Sequence, residues 1–287
     1  MDVHNRYVHA HDYVHHQLAV AALAATLFLV PLAATAQVTV EVSPLRVEVN
    51  APTGGVPYTQ AVTVTNRDKT PVRIRARVDD WYLSKDGTPQ FVPADGTMPY
   101  SAASWTRVNP GEQVAQPGET VTVRFTITTP AGTAPAGYRA AIMFEFGPPV
   151  GNAVDRGQNV MFRGRVATVV YVTIGSPKPA VEVVDVRQAA STQAGRPPTA
   201  VATLKNTGRV HVRTKGQMLI YSQAGTLVRK TQLPDVPVLP ESERDVIVAM
   251  VEDGQEPLAP GQYRVEFRID VGLAAVLVGE TTVTIGK

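Results

Sequence analysis

A chain of 287 residues with 44% hydrophobic and 18% charged side chains has globular composition and the length for two domains. Its 27 Lys and Arg against 25 Asp and Glu leave a formal net charge of +2, too small to suggest nucleic-acid binding. The absence of cysteine excludes thiol catalysis, Cys-ligated zinc and disulfides.

The first segment reads as an address rather than as part of the fold. An apolar run from Leu18 to Ala33 ends in Ala34-Thr35-Ala36 before Gln37, the small-x-small pattern of a signal-peptide cleavage site. Residues 1–36 are therefore read as an export signal. The alternative is a transmembrane anchor, for which the run is short against the roughly 20 residues a span needs.

From Gln37 onward apolar residues alternate over short runs divided by turn residues, and helical periodicity is almost absent. "QVTVEVSPLRVEV" predicts a strand interrupted at Pro44. A proline there removes a ladder hydrogen bond, which points to an edge strand or a switch between sheets. "YTQAVTVTN", "VRIRARVDDWYL", "ETVTVRFTITTP" and "AGYRAAIMFEFGPP" follow as strands, separated by "NRDKTP", "KDGTP" and a Pro-rich connection. Then comes "GQNVMFRGRVATVVYVTIGSP", residues 157–177, a loop that turns into a long apolar strand. This density of short strands predicts an immunoglobulin-like sandwich over 37–176.

"GSPKP" at 175–179 marks a hinge, and a smaller sandwich is expected over 177–287. The halves echo each other. "AVTVTNRDKTPVRIRARV" resembles "AVATLKNTGRVHVRTKGQ", and a late strand opening on Gly just before Tyr recurs in "GYRAAIMFEF" and "GQYRVEFRID". The fold expected is all-β: two tandem immunoglobulin-like β-sandwiches in a boomerang arrangement.

Catalytic patterns are missing. His211 is the one histidine after the signal and reads as an ordinary strand residue. Asp79 and Asp80 are adjacent on a strand, so they face opposite sides, cannot work as a paired acid and base, and read as solvated. No phosphate loop, nucleophile elbow or calcium loop is present in the sequence. Trp81 and Trp105 read as core. The chain is expected not to be an enzyme and to need no metal or cofactor.

The first half resembles the periplasmic pilus-assembly (fimbrial) chaperone family, PapD-like. The resemblance is carried by "SPLRVEV" at 43–49, "AVTVTNRDKTPVRIRARVDDW" at 61–81, "WTRVNPGEQVAQPGETVTVRFTI" at 105–127 and "YRAAIMFEFGPP" at 138–149, in that order. It covers about 37–177. The second half resembles the family only as a smaller sandwich in tandem.

The resemblance implies a periplasmic protein that lends a β-strand to fibre subunits whose own sandwich is incomplete, then delivers them to an outer-membrane usher. Main-chain bonds would give affinity and alternate apolar side chains would fill the subunit's groove. Val160, Phe162 and Val166 share one parity, with Gly164 between them, and are the expected donor residues. The competing reading of this stretch is an ordinary final core strand; Val166 to Ile174 is apolar on both parities and reads as core either way. The family anchors the subunit's C-terminal carboxylate with two basic residues. Arg46 fits the first, and a guanidinium suits bidentate carboxylate binding. At the second, a lysine in the family, this chain has Thr168, with Arg165 the nearest basic residue. Self-association through the exposed strand is a further expectation. The rival class is a structural or adhesive module of the cell envelope, since fold does not fix function.

Overall fold

In the computed structural model, the alternating runs become strands over the described residues, which are 39–51, 55–149, 164–189 and 197–286. The export signal, Val160 and Phe162 lie outside these residues.

The strands up to the hinge are β1 (Val40–Ser43), β2 (Arg46–Asn50), β3 (Pro57–Asn66), β4 (Val72–Leu83), β5 (Pro89–Pro93), β6 (Thr106–Asn109), β7 (Glu112–Ala115), β8 (Thr120–Thr128), β9 (Ala136–Gly147) and β10 (Gly164–Ile174). They form two facing sheets, ordered β1-β3-β8-β6 and β2-β10-β9-β4-β5, with β7 also paired to β4. Pro44 falls where the first strand changes sheets: β1 pairs antiparallel with β3, and β2 pairs parallel with β10. Alternate residues of each sheet point inward. Val62, Val64, Phe125 and Ile127 meet Ile74, Ile142, Phe144, Val170 and Val172 in one buried cluster. Each such side chain stabilises the fold by about 1.5–3 kcal/mol.

Beyond the hinge run β11 (Val181–Gln188), β12 (Thr199–Asn206), β13 (Val212–Arg213), β14 (Lys215–Ser222), β15 (Leu227–Gln232), β16 (Pro237–Val238), β17 (Ser242–Ala249), β18 (Gly261–Asp270) and β19 (Leu277–Ile285). They make sheets β11-β12-β17, β13-β16 and β15-β14-β18-β19 around a second cluster that includes Leu204, Met218, Ile220, Val246 and Phe267.

The echo between the halves has a physical basis. Asn66 ends β3 fully buried; its amide donates to the carbonyls of Thr70 and Ala115, and its oxygen accepts from the N–H of Asp68. Asn206 ends β12 in the same way, donating to Val210 and Val238 and accepting from Gly208. Each asparagine pins a turn that would otherwise bury unpaired backbone groups. The two late tyrosines repeat as well: Tyr138 donates its hydroxyl to the Ala134 carbonyl and Tyr263 to that of Ala259, the tyrosine corner of immunoglobulin-like sandwiches. Asn66→Ala and Asn206→Ala should each cost about 3 kcal/mol, because buried carbonyls lose their donor. Urea unfolding checks this, and a change under 1 kcal/mol would refute the pinning role.

Val38–Lys287 form one contact unit, so the two sandwiches touch. Trp81, Ala141 and Tyr171 of the first pack with Leu239 of the second. The Gly137 N–H donates to the Arg209 carbonyl at 2.7 Å, and the Asp245 N–H to that of Lys85 at 2.7 Å. Gly137 eases this approach: a Cβ there would lie a tight 3.1 Å from the Cα of Val210. Tyr100 donates to Glu241 at 2.5 Å, and Lys85 to Glu243 at 2.8 Å.

Two sequence expectations change here. Asp79 and Asp80 are buried, not solvated. Arg77 clamps the Asp79 carboxylate, and Ser101 donates to Asp80. Burial pushes the Asp80 carboxyl upward. Trp81 is buried, as expected of a core residue, but against the second sandwich rather than between the first sandwich's sheets. Its indole donates to the Ala140 carbonyl, and its ring meets Tyr171 edge-on at 5.4 Å.

His211 precedes β13, half-buried, with its ring 4.2 Å from that of Tyr171. Desolvation drives its pKa below the usual histidine value, opposed by Glu48 and aided by Arg213 and Arg46. The unfolded chain therefore binds this proton more readily than the folded one. Stability from a neutral His211 is complete above about pH 6.5 and is lost as pH falls through that value, by up to about 1.4 kcal/mol per pH unit. His211→Phe should flatten the urea-midpoint profile between pH 7.5 and 5.5; an unchanged profile would exclude His211 as its source.

Candidate functional site

The strand that the sequence singled out, β10, is paired on both sides for only part of its length. Against β9 it pairs throughout, from Gly164 opposite Phe146 to Ile174 opposite Ala136. Against β2 it pairs only from Val169 to Thr173, opposite Arg46 to Asn50. Among the described residues, Gly164 to Thr168 thus have a strand on one side alone. The N–H of Val169 donates to the Leu45 carbonyl, and the Thr173 carbonyl accepts from Ala51. Main-chain groups alternate direction along a strand, so Arg165 and Ala167 direct theirs to the same side as Val169, where no described strand lies.

Side chains alternate across the other axis. Thr168, Val170, Val172 and Ile174 face the first core, with Val166 partly buried against it. Arg165, Ala167, Val169 and Tyr171 share the outer face, where Val169 and Tyr171 belong to the cluster shared with the second sandwich.

Of the residues expected at the site, Thr168 is fully buried, and its hydroxyl donates to the Pro44 carbonyl at 2.8 Å. Arg165 stands on the opposite face with its side chain 68% exposed, 3.4 Å from Glu145. Arg46 lies beside Val169 in register, its side chain 48% exposed, 3.6 Å from Glu48 and 3.8 Å from Asp235. Val160 and Phe162 are outside the described residues.

Arg46 borders a cavity of about 430 Å³ whose other charged walls include Glu48, Arg213, Lys215, Asp235 and Asp270. Cations and carboxylates alternate there. Arg213 binds Asp235 at 2.7 Å and holds its carboxyl below the usual range. Arg213 and Lys215 were missed from sequence, although "VRTK" shows two basic residues on one parity. At the joint beneath, Arg139 is buried; its Nε donates to the Trp81 carbonyl, and burial lowers its pKa against the pull of Asp80. Burial also pushes the Tyr171 phenol up to about 12.

No family model matches the chain, and no curated protein sequence does. Among solved structures it is similar to the class 5 fimbriae chaperone CfaA, at 13% identity, covering 85% of this chain and 99% of that one, with a TM-score of 0.47. A chain of the chaperone–tip adhesin complex of CFA/I fimbriae biogenesis is 12% identical, with 85% and 98% covered and a TM-score of 0.46. A chain of the CsuC–CsuE chaperone–tip adhesion subunit complex from the archaic Csu pili of Acinetobacter baumannii is 15% identical, with 84% and 97% covered and a TM-score of 0.43.

Proposed function

We propose that this chain is an exported, periplasmic chaperone of the fimbrial type, which holds surface-fibre subunits by lending them the open edge of β10. One observation carries the reading: Gly164 to Thr168 are paired to β9 and to nothing described on the other side. A bare edge is an aggregation hazard unless it has a use. An incomplete subunit has the complementary need, a groove that lacks a strand. The lane is ready for it, since β2 ends its pairing at Val169 and an added strand can continue in line.

In this reading residues 37–176 form the subunit-holding domain and 177–287 the supporting one, after removal of 1–36. Val166, with Phe162 and Val160 before it, supplies apolar side chains to the groove. Arg46 receives the subunit's terminal carboxylate, and Arg165, further along the same face, meets the accepted strand itself. Thr168 acts at the root of the edge: by holding the Pro44 carbonyl it keeps the β1–β2 corner against β10 and leaves the lane beyond free. The action is non-covalent and uses no ATP, metal or cofactor. An outer-membrane usher is the second partner.

The test is co-purification from the periplasm with a fimbrial subunit, using the wild type and Phe162→Asp/Val166→Asp. A carboxylate forced into an apolar groove costs several kcal/mol, since it must either lose its water as an ion or give up its charge. Capture by the wild type and none by a variant that circular dichroism finds folded is the expected result. Equal capture by both would sink strand donation.

A further inference from the structure

We propose that the strand accepted by the β10 edge carries an acidic side chain opposite Arg165, on the face away from the first core; this rests on the strand-donation reading above. The register places Arg75, Glu145 and Arg165 side by side across β4, β9 and β10, a row of alternating charge. Directly opposite residues on neighbouring strands lie about 4.5–5.5 Å apart at Cβ, where opposite charges attract and like charges repel. No described strand occupies the next lane, and the row calls for a carboxylate there.

Glu145 satisfies Arg165 only in part, because the same carboxylate is shared with Arg77. Arg77 makes a short, direct contact to that carboxylate, and Arg77, rather than Arg165, is the chief cause of its lowered pKa. Arg165 stands 3.4 Å away with its side chain mostly in solvent. Arg75 reaches only Glu112, at 4.0 Å, and Arg73 holds that carboxylate more closely at 2.8 Å. Beside the row opens a hollow of about 270 Å³ among Arg73, Arg75 and Arg165, with Glu145 as its carboxylate. The hollow spans β9 between β4 and β10, so Arg165 is the charge of this row that borders the next lane. The same charge disfavours a second copy of this edge as the occupant, because pairing centred on Arg165 sets arginine against arginine.

The probes are three capped peptides, Gly-Ser-Val-Thr-Val-X-Val-Thr-Val-Ser-Gly, with X as Glu, Gln or Lys on the threonine face. They are titrated into the exported chain while the amide resonances of Arg165 and Ala167 are followed. All three should move those resonances, with Glu binding about fivefold more tightly than Lys. Raising salt to about 0.5 M should shrink the difference, and Arg165→Glu should invert the order. Equal affinities with both amides shifted would overturn the acidic requirement and leave strand addition standing. A preference for Glu that survives Arg165→Glu would also overturn it, by removing Arg165 from the role. Unmoved amides with every peptide would overturn strand addition itself, and this proposal with it.

Discussion

Replacing Ala167 with proline should abolish capture of a subunit and leave the chain folded. The Ala167 N–H points to the open lane, on the same side as that of Val169, so it takes no part in the ladder to β9. Proline there removes no hydrogen bond to a described residue, and edges are where proline is tolerated in sheets. For an incoming strand the change is severe. One donor is gone, the facing carbonyl is buried without a partner, and the ring occupies the lane. That loss is about 2–3 kcal/mol, or roughly 30- to 150-fold in affinity. Thr168→Pro is the contrasting control. The Thr168 N–H points to β9, so this change should unfold the edge and lower the melting temperature. Capture by Ala167→Pro equal to wild type would mean that the lane is not used.

Truncating Trp81 to alanine should cost about 3–5 kcal/mol in stability, the cost of removing a large buried ring. The side chain is 2% exposed. It is wedged between Ala141, Tyr171 and Leu239, so its loss opens a cavity between the two sandwiches rather than inside either. Its indole hydrogen bond to Ala140 and the edge-on contact with Tyr171 go as well. Arg139, which donates to the Trp81 carbonyl, then borders an opened joint. The variant should unfold at lower urea concentration, with amides around Leu239 and His211 exchanging faster before global unfolding. A loss below about 1 kcal/mol would show that the joint contributes little to stability.

Much of the frame was legible in sequence because strand periodicity is local. The period of two, the turn residues and the repeated Asn-turn and Gly-before-Tyr segments predicted two sandwiches, and the structure turns those repeats into the Asn66 and Asn206 pins and the Tyr138 and Tyr263 corners. Pro44 announced the change of sheet for the same local reason. What was not legible depends on long-range partners. The parallel pairing of Arg46 with Val169 joins residues far apart in the chain, and nothing in either segment states where β2 stops. The burial of Asp80 depends on Ser101, 21 residues further along, which a strand pattern does not reveal, whereas Arg77 lies two residues from Asp79 on the same face. Thr168 is a different case. It shares its parity with Val166, so once Val166 faces the core, Thr168 must too, and the alternation alone separates it from Arg165.

The central claim is that the main-chain groups of Arg165 and Ala167 receive a partner strand, and residue-resolved amide hydrogen exchange tests it most directly. In the free chain, the amides of Val166 and Thr168 should be protected by β9 while those of Arg165 and Ala167 exchange quickly. In complex with a fimbrial subunit, Arg165 and Ala167 should slow by at least about tenfold, as local opening comes to require breaking the added ladder. If a stable complex forms and these two amides exchange as fast as before, the subunit is held elsewhere and the account is wrong.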